Sequence, residues 1–280
     1  MELLRATTGD GWRLAVYFRA GSGDRRFPIL MVHGFGSNRF SMDAKENYSV
    51  AQAAVSRGFS VYVLELRGAG QSLAPVPEES LEYNWGFGEY LEQDMPAAMD
   101  FVLEHSASDG VHGVGHSMGG MLFYAIATRQ PEELKCIASI GAPLICGLEL
   151  GRAEQRLLRF AKGLAPNSQE WRLPLASLFG AAGRFGRLSS LAADGILLNS
   201  DNVEPELVPF LAQQAMNDVP LKLLLELTSQ MAHQDLYAWP YGFERHLDKI
   251  RVPVLALAGS RDRVAPPSSV FGAVDRMRSD

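Results

Sequence analysis

The run Gly115-His116-Ser117-Met118-Gly119 narrows what this chain can fold into more than any other stretch. Before it stands the β-like segment Val111-His112-Gly113-Val114, and after it the apolar, helix-forming Met121 to Thr128. A strand, a sharp turn and a helix are therefore expected, with Ser117 on the turn. Flanking glycines such as Gly115 and Gly119 let the backbone bend tightly and hold the serine in a strained conformation. A serine hydroxyl is a weak nucleophile until it is exposed to a base, and this turn exposes it. Ser117 is the candidate nucleophile. The competing reading of the same residues is an ordinary Gly/Ser-rich turn.

The surrounding pattern is an α/β one. Trp12 to Arg19 alternates apolar and polar, predicting an early antiparallel strand. Phe27 to Val32, Phe59 to Leu66, Cys136 to Ile140 and Val252 to Ala258 read as further strands. Helices are predicted over Asp43 to Arg57, ending at Gly58, and over Glu89 to His105, with Asp94 as an N-cap before Pro96. Alternating strands and helices predict a mostly parallel sheet with helices on both faces. From about Leu144 to Glu244 the alternation stops and the pattern turns helical, over 152–163, 173–179, 207–216 and 221–231. The domain expectation is therefore a core over 1–143, a helical cap or lid over 144–246, and the remainder of the core over 247–280. A cap is favoured because ligands in open α/β sheets bind outside the carboxyl ends of the strands.

Composition bounds the rest. The 280 residues are 47% hydrophobic with a net charge of −6, which argues against nucleic acid or an anionic membrane as partner. The two cysteines, Cys136 and Cys146, read as buried free thiols of a reducing compartment. Met1 to Gly11 lacks the apolar stretch of a signal peptide, and no run reaches the length of a membrane span, so a cytoplasmic location is expected. No His/Cys/Asp/Glu spacing suggests a metal, and no phosphate loop or dinucleotide fingerprint suggests a cofactor; none is expected. The oligomeric state is open.

Nucleophilic catalysis by Ser117 needs an oxyanion hole, an orienting acid and a base. The Met118 N–H follows the nucleophile, and the loop His33-Gly34-Phe35-Gly36 lies where a second donor should come from, with the Phe35 N–H as candidate. His33 and Gly34 are read as residues that position that loop, and His116 as part of the elbow backbone. Asp262, in Gly259-Ser260-Arg261-Asp262 after the last clear strand, is the candidate acid; its alternative role is a turn or N-cap aspartate. The base should follow the acid. All six histidines, at 33, 105, 112, 116, 233 and 246, precede Asp262. Only 18 residues follow Asp262, fewer than the roughly 25 that a helix, a strand and their connections need. The expectation is a core whose C-terminal strand is missing from this sequence, or a protein that has lost its base.

These motifs, in this order, resemble the α/β-hydrolase superfamily, and the α/β-hydrolase fold is what the resemblance implies. Asn38 to Leu66, Trp85 to Tyr90 and Asp94 to Phe101 are similar to acid lipases and polyhydroxyalkanoate synthases. The synthases carry cysteine at the position of Ser117, so the resemblance implies hydrolysis of a small-molecule ester, esterase- or lipase-like, rather than polymerisation. Apolar residues of the cap segment (Phe160, Leu175, Phe179, Phe185, Leu197) suggest a hydrophobic acyl group. The alternatives are a non-catalytic binding protein of the same fold and an acyltransferase using the same site.

Overall fold

The computed structural model describes residues 1–23, 25–143, 171–183, 199, 202–233 and 242–278. Seven strands form one sheet: β1 (Glu2–Thr7), β2 (Arg13–Arg19), β3 (Ile29–Val32), β4 (Val61–Glu65), β5 (Val111–His116), β6 (Leu134–Ile140) and β9 (Val254–Leu257). Their spatial order is β1-β2-β4-β3-β5-β6-β9. The β1–β2 and β2–β4 pairs are antiparallel, and every other pair is parallel. β1 is a strand that the sequence reading did not predict. The order turns back at β3, which has β4 on one side and β5 on the other; in open α/β sheets ligands bind outside the carboxyl ends of the strands at such a switch point.

Helices cover both faces. They are α1 (Val50–Val55), α2 (Phe87–Glu89), α3 (Met95–Ser106), α4 (Met118–Ala127), α5 (Leu175–Gly183), α6 (Leu207–Gln214), α7 (Leu221–His233) and α8 (Pro267–Val274). One core lies between the sheet and the α3/α4 face, with Leu14, Leu30, Tyr62, Met95 and Phe123 fully buried. A smaller one, around Met31, Val63 and Ala51, fills the other face. Every residue of α4 is buried, which is why its sequence shows little polar face.

Two predicted helices differ. Asp43 to Arg57 breaks into a short 3₁₀ turn, Glu46–Tyr48, and the shorter α1. Ser49 causes the break: its Oγ caps the Gln52 N–H at 2.8 Å and donates to Asp43 Oδ1 at 2.5 Å. Asp94 is not an N-cap. It sits in helical backbone at the end of a π-helical turn, Tyr90–Asp94, and its carboxylate is taken by Arg67 instead. The wider π turn runs straight into α3, where Pro96 occupies the first turn and has no N–H to lose.

Between β6 and β9 the described residues hold α5, α6 and α7 and a two-stranded antiparallel pair, β7 (Arg172–Leu173) with β8 (Val219–Pro220). The predicted helix over 152–163, and Cys146, Phe160, Phe185 and Leu197, lie outside the described residues. Cys136 is free but half-buried rather than buried, with Sγ 3.0 Å from His112 Nδ1. No helix among the described residues is long and apolar enough to cross a membrane.

Candidate active site

Ser117 ends β5 and precedes α4 with φ +49° and ψ −116°, a region that L-residues other than glycine rarely enter. Its own N–H donates to the Ile140 carbonyl at 2.8 Å, tying the turn to the end of β6. The turn closes as tightly as the sequence suggested. A Cβ on Gly119 would sit 2.3 Å from the Val32 carbonyl oxygen, and one on Gly115 2.3 Å from the Gly120 nitrogen. Backbone occupies both places, so no side chain fits either. Ser117 is half-buried, and its Oγ makes no hydrogen bond among the described residues.

The loop after β3 packs directly on this turn. A Cβ on Gly34 would lie 3.1 Å from Ser117 Cβ and 3.3 Å from the His116 carbonyl oxygen. Gly34, Phe35, Gly36 and Ser37 form a turn closed by Ser37 N–H to the Gly34 carbonyl at 3.3 Å, with Gly36 at φ +62°. The Phe35 N–H takes no acceptor among the described residues. Met118 opens α4, where an N–H has no intrahelical partner. The structure thus brings together Ser117, Met118 and the Gly34–Phe35 turn. Unpaired amides on elements that meet at a serine hydroxyl can stabilise an oxyanion formed there.

His33 is a structural pin beneath the turn. It is fully buried, donating through Nδ1 to the Gly34 carbonyl at 2.8 Å and accepting at Nε2 from the Leu66 N–H at 3.2 Å. Those bonds require the neutral ring. Burial pushes its pKa from 6.5 down to about 4, against the pull of the Gly34 carbonyl. Between those values the unfolded chain binds a proton that the folded protein refuses, so stability falls as pH falls through this window. Comparing urea unfolding of the native protein with His33→Gln, the native free energy is expected to lose about 2 kcal/mol relative to the variant from pH 6.5 to pH 5. A constant difference between the two would contradict this.

Asp262 lies beyond the end of β9. Its Oδ1 accepts from the Val264 and Ala265 N–H groups at 2.9 and 2.8 Å, fixing the carboxylate on its own loop. Oδ2 faces the end of β6, 3.6 Å from where a Cβ on Gly141 would stand. The turn role and an orienting role thus use different oxygens. Burial lowers the His116 pKa, and the Asp262 charge partly opposes this.

No histidine with a described side chain hydrogen-bonds Ser117. His105 meets the Tyr62 hydroxyl, His112 meets Cys136, and His116 Nδ1 is buried without a partner. His246 lies in the 3₁₀ segment Phe243–Lys249, before β9. No cluster suited to a metal ion occurs among the described residues.

Sequence reasoning missed the residues that lock the surrounding loops. Arg67, after β4, binds the Asp94 carboxylate through Nε (2.8 Å), Nη2 (2.7 Å) and its own backbone N–H (2.8 Å). It also holds Asp10 through Nη1 at 2.7 Å. Burial alone would lower the guanidinium pKa, but the two carboxylates outweigh it and raise it. Glu65, buried at the end of β4, accepts from the Gln71 and Arg39 N–H groups at 2.7 and 3.4 Å, linking the loops after β4 and β3. A lone glutamate ending the apolar run Val61-Tyr62-Val63-Leu64 was the available signal for it.

Comparison with known proteins agrees with this fold. The sequence model of the alpha/beta hydrolase fold matches residues 28–274. The chain is 26% identical over 147 residues to gastric triacylglycerol lipase of Bos taurus, covering 48% of this chain and 37% of the lipase. It is 23% identical over 118 residues to the poly(3-hydroxyalkanoate) polymerase subunit PhaC of Haloferax mediterranei, covering 42% and 22%. These matches span well under half the length of the curated relatives. Among solved structures, a monoacylglycerol lipase of Paleococcus ferrophilus superposes with a TM-score of 0.62 at 17% identity, over 95% of this chain and 85% of that one. With the profile match covering most of its length, the chain belongs to the alpha/beta hydrolase fold family.

Proposed function

We propose that the protein is a serine hydrolase that cleaves small-molecule carboxylic esters through an acyl-enzyme. The observation that carries this reading is the strained Ser117, at φ +49°, with the Gly34–Phe35 turn packed against it. Ser117 Oγ attacks the ester carbonyl and its proton passes to a base. The Met118 and Phe35 N–H groups hold the carbonyl oxygen as it gains negative charge. The alcohol leaves, and water then releases the acid from Ser117. Asp262, with Oδ2 turned toward the end of β6, orients the base. On this reading the Ser117 and Asp262 side chains serve as nucleophile and acid and two backbone N–H groups as donors, and no histidine with a described side chain hydrogen-bonds Ser117 as the base.

The segment 144–246 acts as a cap on a core formed by 1–143 and 247–280. Two contacts support that placement: Phe40, after β3, meets the Phe210 ring at 5.3 Å, and Leu175 Cδ1 comes within 3.0 Å of a Cβ built on Gly36. Leu175 and Met216 over that turn favour an apolar acyl group. The lipase names of the relatives point the same way, while Ser117 in place of a cysteine favours hydrolysis over polymer synthesis.

A fluorophosphonate tests the reading. Attack forms an Oγ–P bond, expels fluoride and hands the serine proton to the base. Mass spectrometry is expected to find one phosphonyl adduct, on the peptide carrying Ser117. An unlabelled Ser117 would overturn the hydrolase reading and favour a binding protein that keeps the pocket without the base.

A further inference from the structure

The stretch Gln214–Asp218, from the last residue of α6 to β8, touches both the loop after β3, which packs on Ser117, and the loop after β4. The Asn217 N–H donates to the Gly36 carbonyl at 2.8 Å. Its side-chain Oδ1 accepts from the Gly70 N–H at 2.9 Å, in the loop after β4. Beside it Met216 forms an antiparallel bridge with Ser37, and the Gln214 carbonyl accepts from Asn38 Nδ2 at 2.7 Å. One residue therefore grips two loops that are far apart in sequence, and the residues before it grip the first loop at Ser37 and Asn38. Only oxygen can meet the Gly70 N–H, so this bond also fixes which way the amide faces. That leaves Asn217 Nδ2 buried with no acceptor among the described residues. A buried donor left unpaired is costly, so the amide is held here by what its oxygen does.

From this geometry we infer that Gln214–Asp218 is a strap that sets the angle of the oxyanion turn, with Asn217 as its positioning residue. The inference rests on the serine hydrolase reading. The Gly34–Ser37 turn has a long closing bond of 3.3 Å, and Gly36 at φ +62° has no side chain to brace it. His33 pins the turn at the Gly34 carbonyl, and the strap holds its other end at the Gly36 carbonyl, one residue from the Phe35 amide. The Gly70 contact anchors the strap in turn, through the loop that Glu65 ties to Gln71 at 2.7 Å. A donor that drifts by a fraction of an ångström loses much of its value in the transition state while ground-state binding hardly changes. Asn217 is thus expected to act on kcat rather than KM.

Asn217→Ala removes the Gly70 acceptor and keeps the backbone N–H. With p-nitrophenyl butyrate, kcat is expected to fall about tenfold or more, with KM within about twofold. Hydrogen exchange is expected to quicken over residues 33–38 and 67–72 together. Asn217→Asp keeps an oxygen for the Gly70 N–H and is expected to hold exchange in both loops near the native rate. An unchanged kcat, a lower melting temperature alone, or quicker exchange confined to 67–72 would each overturn the strap. So would equal quickening by Asp and Ala. Ser117→Ala separates the two claims. If native turnover does not depend on Ser117, the hydrolase reading fails, and exchange over 33–38 in Asn217→Ala still decides whether the strap holds the turn.

Discussion

Replacing Ser117 by alanine is expected to cut ester turnover by on the order of 10⁶-fold, leaving KM and the melting temperature nearly unchanged. The size follows from the chemistry. On the proposed mechanism no acyl-enzyme forms without Oγ, and what would remain is the contribution of the Met118 and Phe35 amides to direct attack by water. The small effect on folding follows from the structure. Ser117 Oγ makes no hydrogen bond among the described residues, and the bonds that hold the turn come from backbone, such as Ser117 N–H to Ile140 at 2.8 Å. Alanine would also relieve none of the strain at φ +49°, because it keeps a Cβ. Hydrolysis of p-nitrophenyl esters of several chain lengths by the native protein and Ser117→Ala measures this. Equal rates would remove Ser117 as the nucleophile.

The second large effect lies away from the reacting atoms. Asp94→Ala is expected to destabilise the fold by about 3–5 kcal/mol. Arg67 is 3% exposed and Asp94 not at all, so deletion of the carboxylate strands a buried guanidinium. Asp10 alone cannot compensate, because it is partly exposed and bonds only Nη1 and Nη2. The Arg67 backbone N–H also loses its acceptor. In a domain of this size each kcal/mol moves the melting temperature by roughly 2–4 °C, so a fall of roughly 10 °C is expected. Arg67→Met combined with Asp94→Leu should cost less than Asp94→Ala alone, because it removes both charges from the interior. Calorimetry on the three proteins decides. A larger loss for the double variant would mean that the ion pair stabilises the fold beyond its own desolvation cost.

The parts of the fold that sequence reading reached share a property: their causes are local. The run Ile29–Val32 is apolar throughout because β3 is covered on both faces and flanked by β4 and β5. Gly115 and Gly119 announce the turn because backbone fills the space a side chain would need. The misses share the opposite property. Asp94 has the sequence position of an N-cap, yet a guanidinium 27 residues away takes its carboxylate. Ser49 interrupts a helical pattern by capping, a choice that depends on Asp43 being placed to accept its hydroxyl. Asn217 carries no motif. It matters only because the chain folds back to lay it between Gly36 and Gly70.

By itself, the sequence determined the strand–turn–helix that presents Ser117, the alternation that builds the parallel sheet, and the glycine loop that follows β3. Each is set by steric rules acting within a few residues. The tertiary structure alone decided which loop packs against the serine, which oxygen of Asp262 its own loop takes up, and which distant residues clamp the loops. Those are matters of a few tenths of an ångström between segments far apart in the chain, as with Asn38 and Gln214, 176 residues apart. No local preference can specify such distances, because they are fixed only when the whole sheet closes and its loops meet.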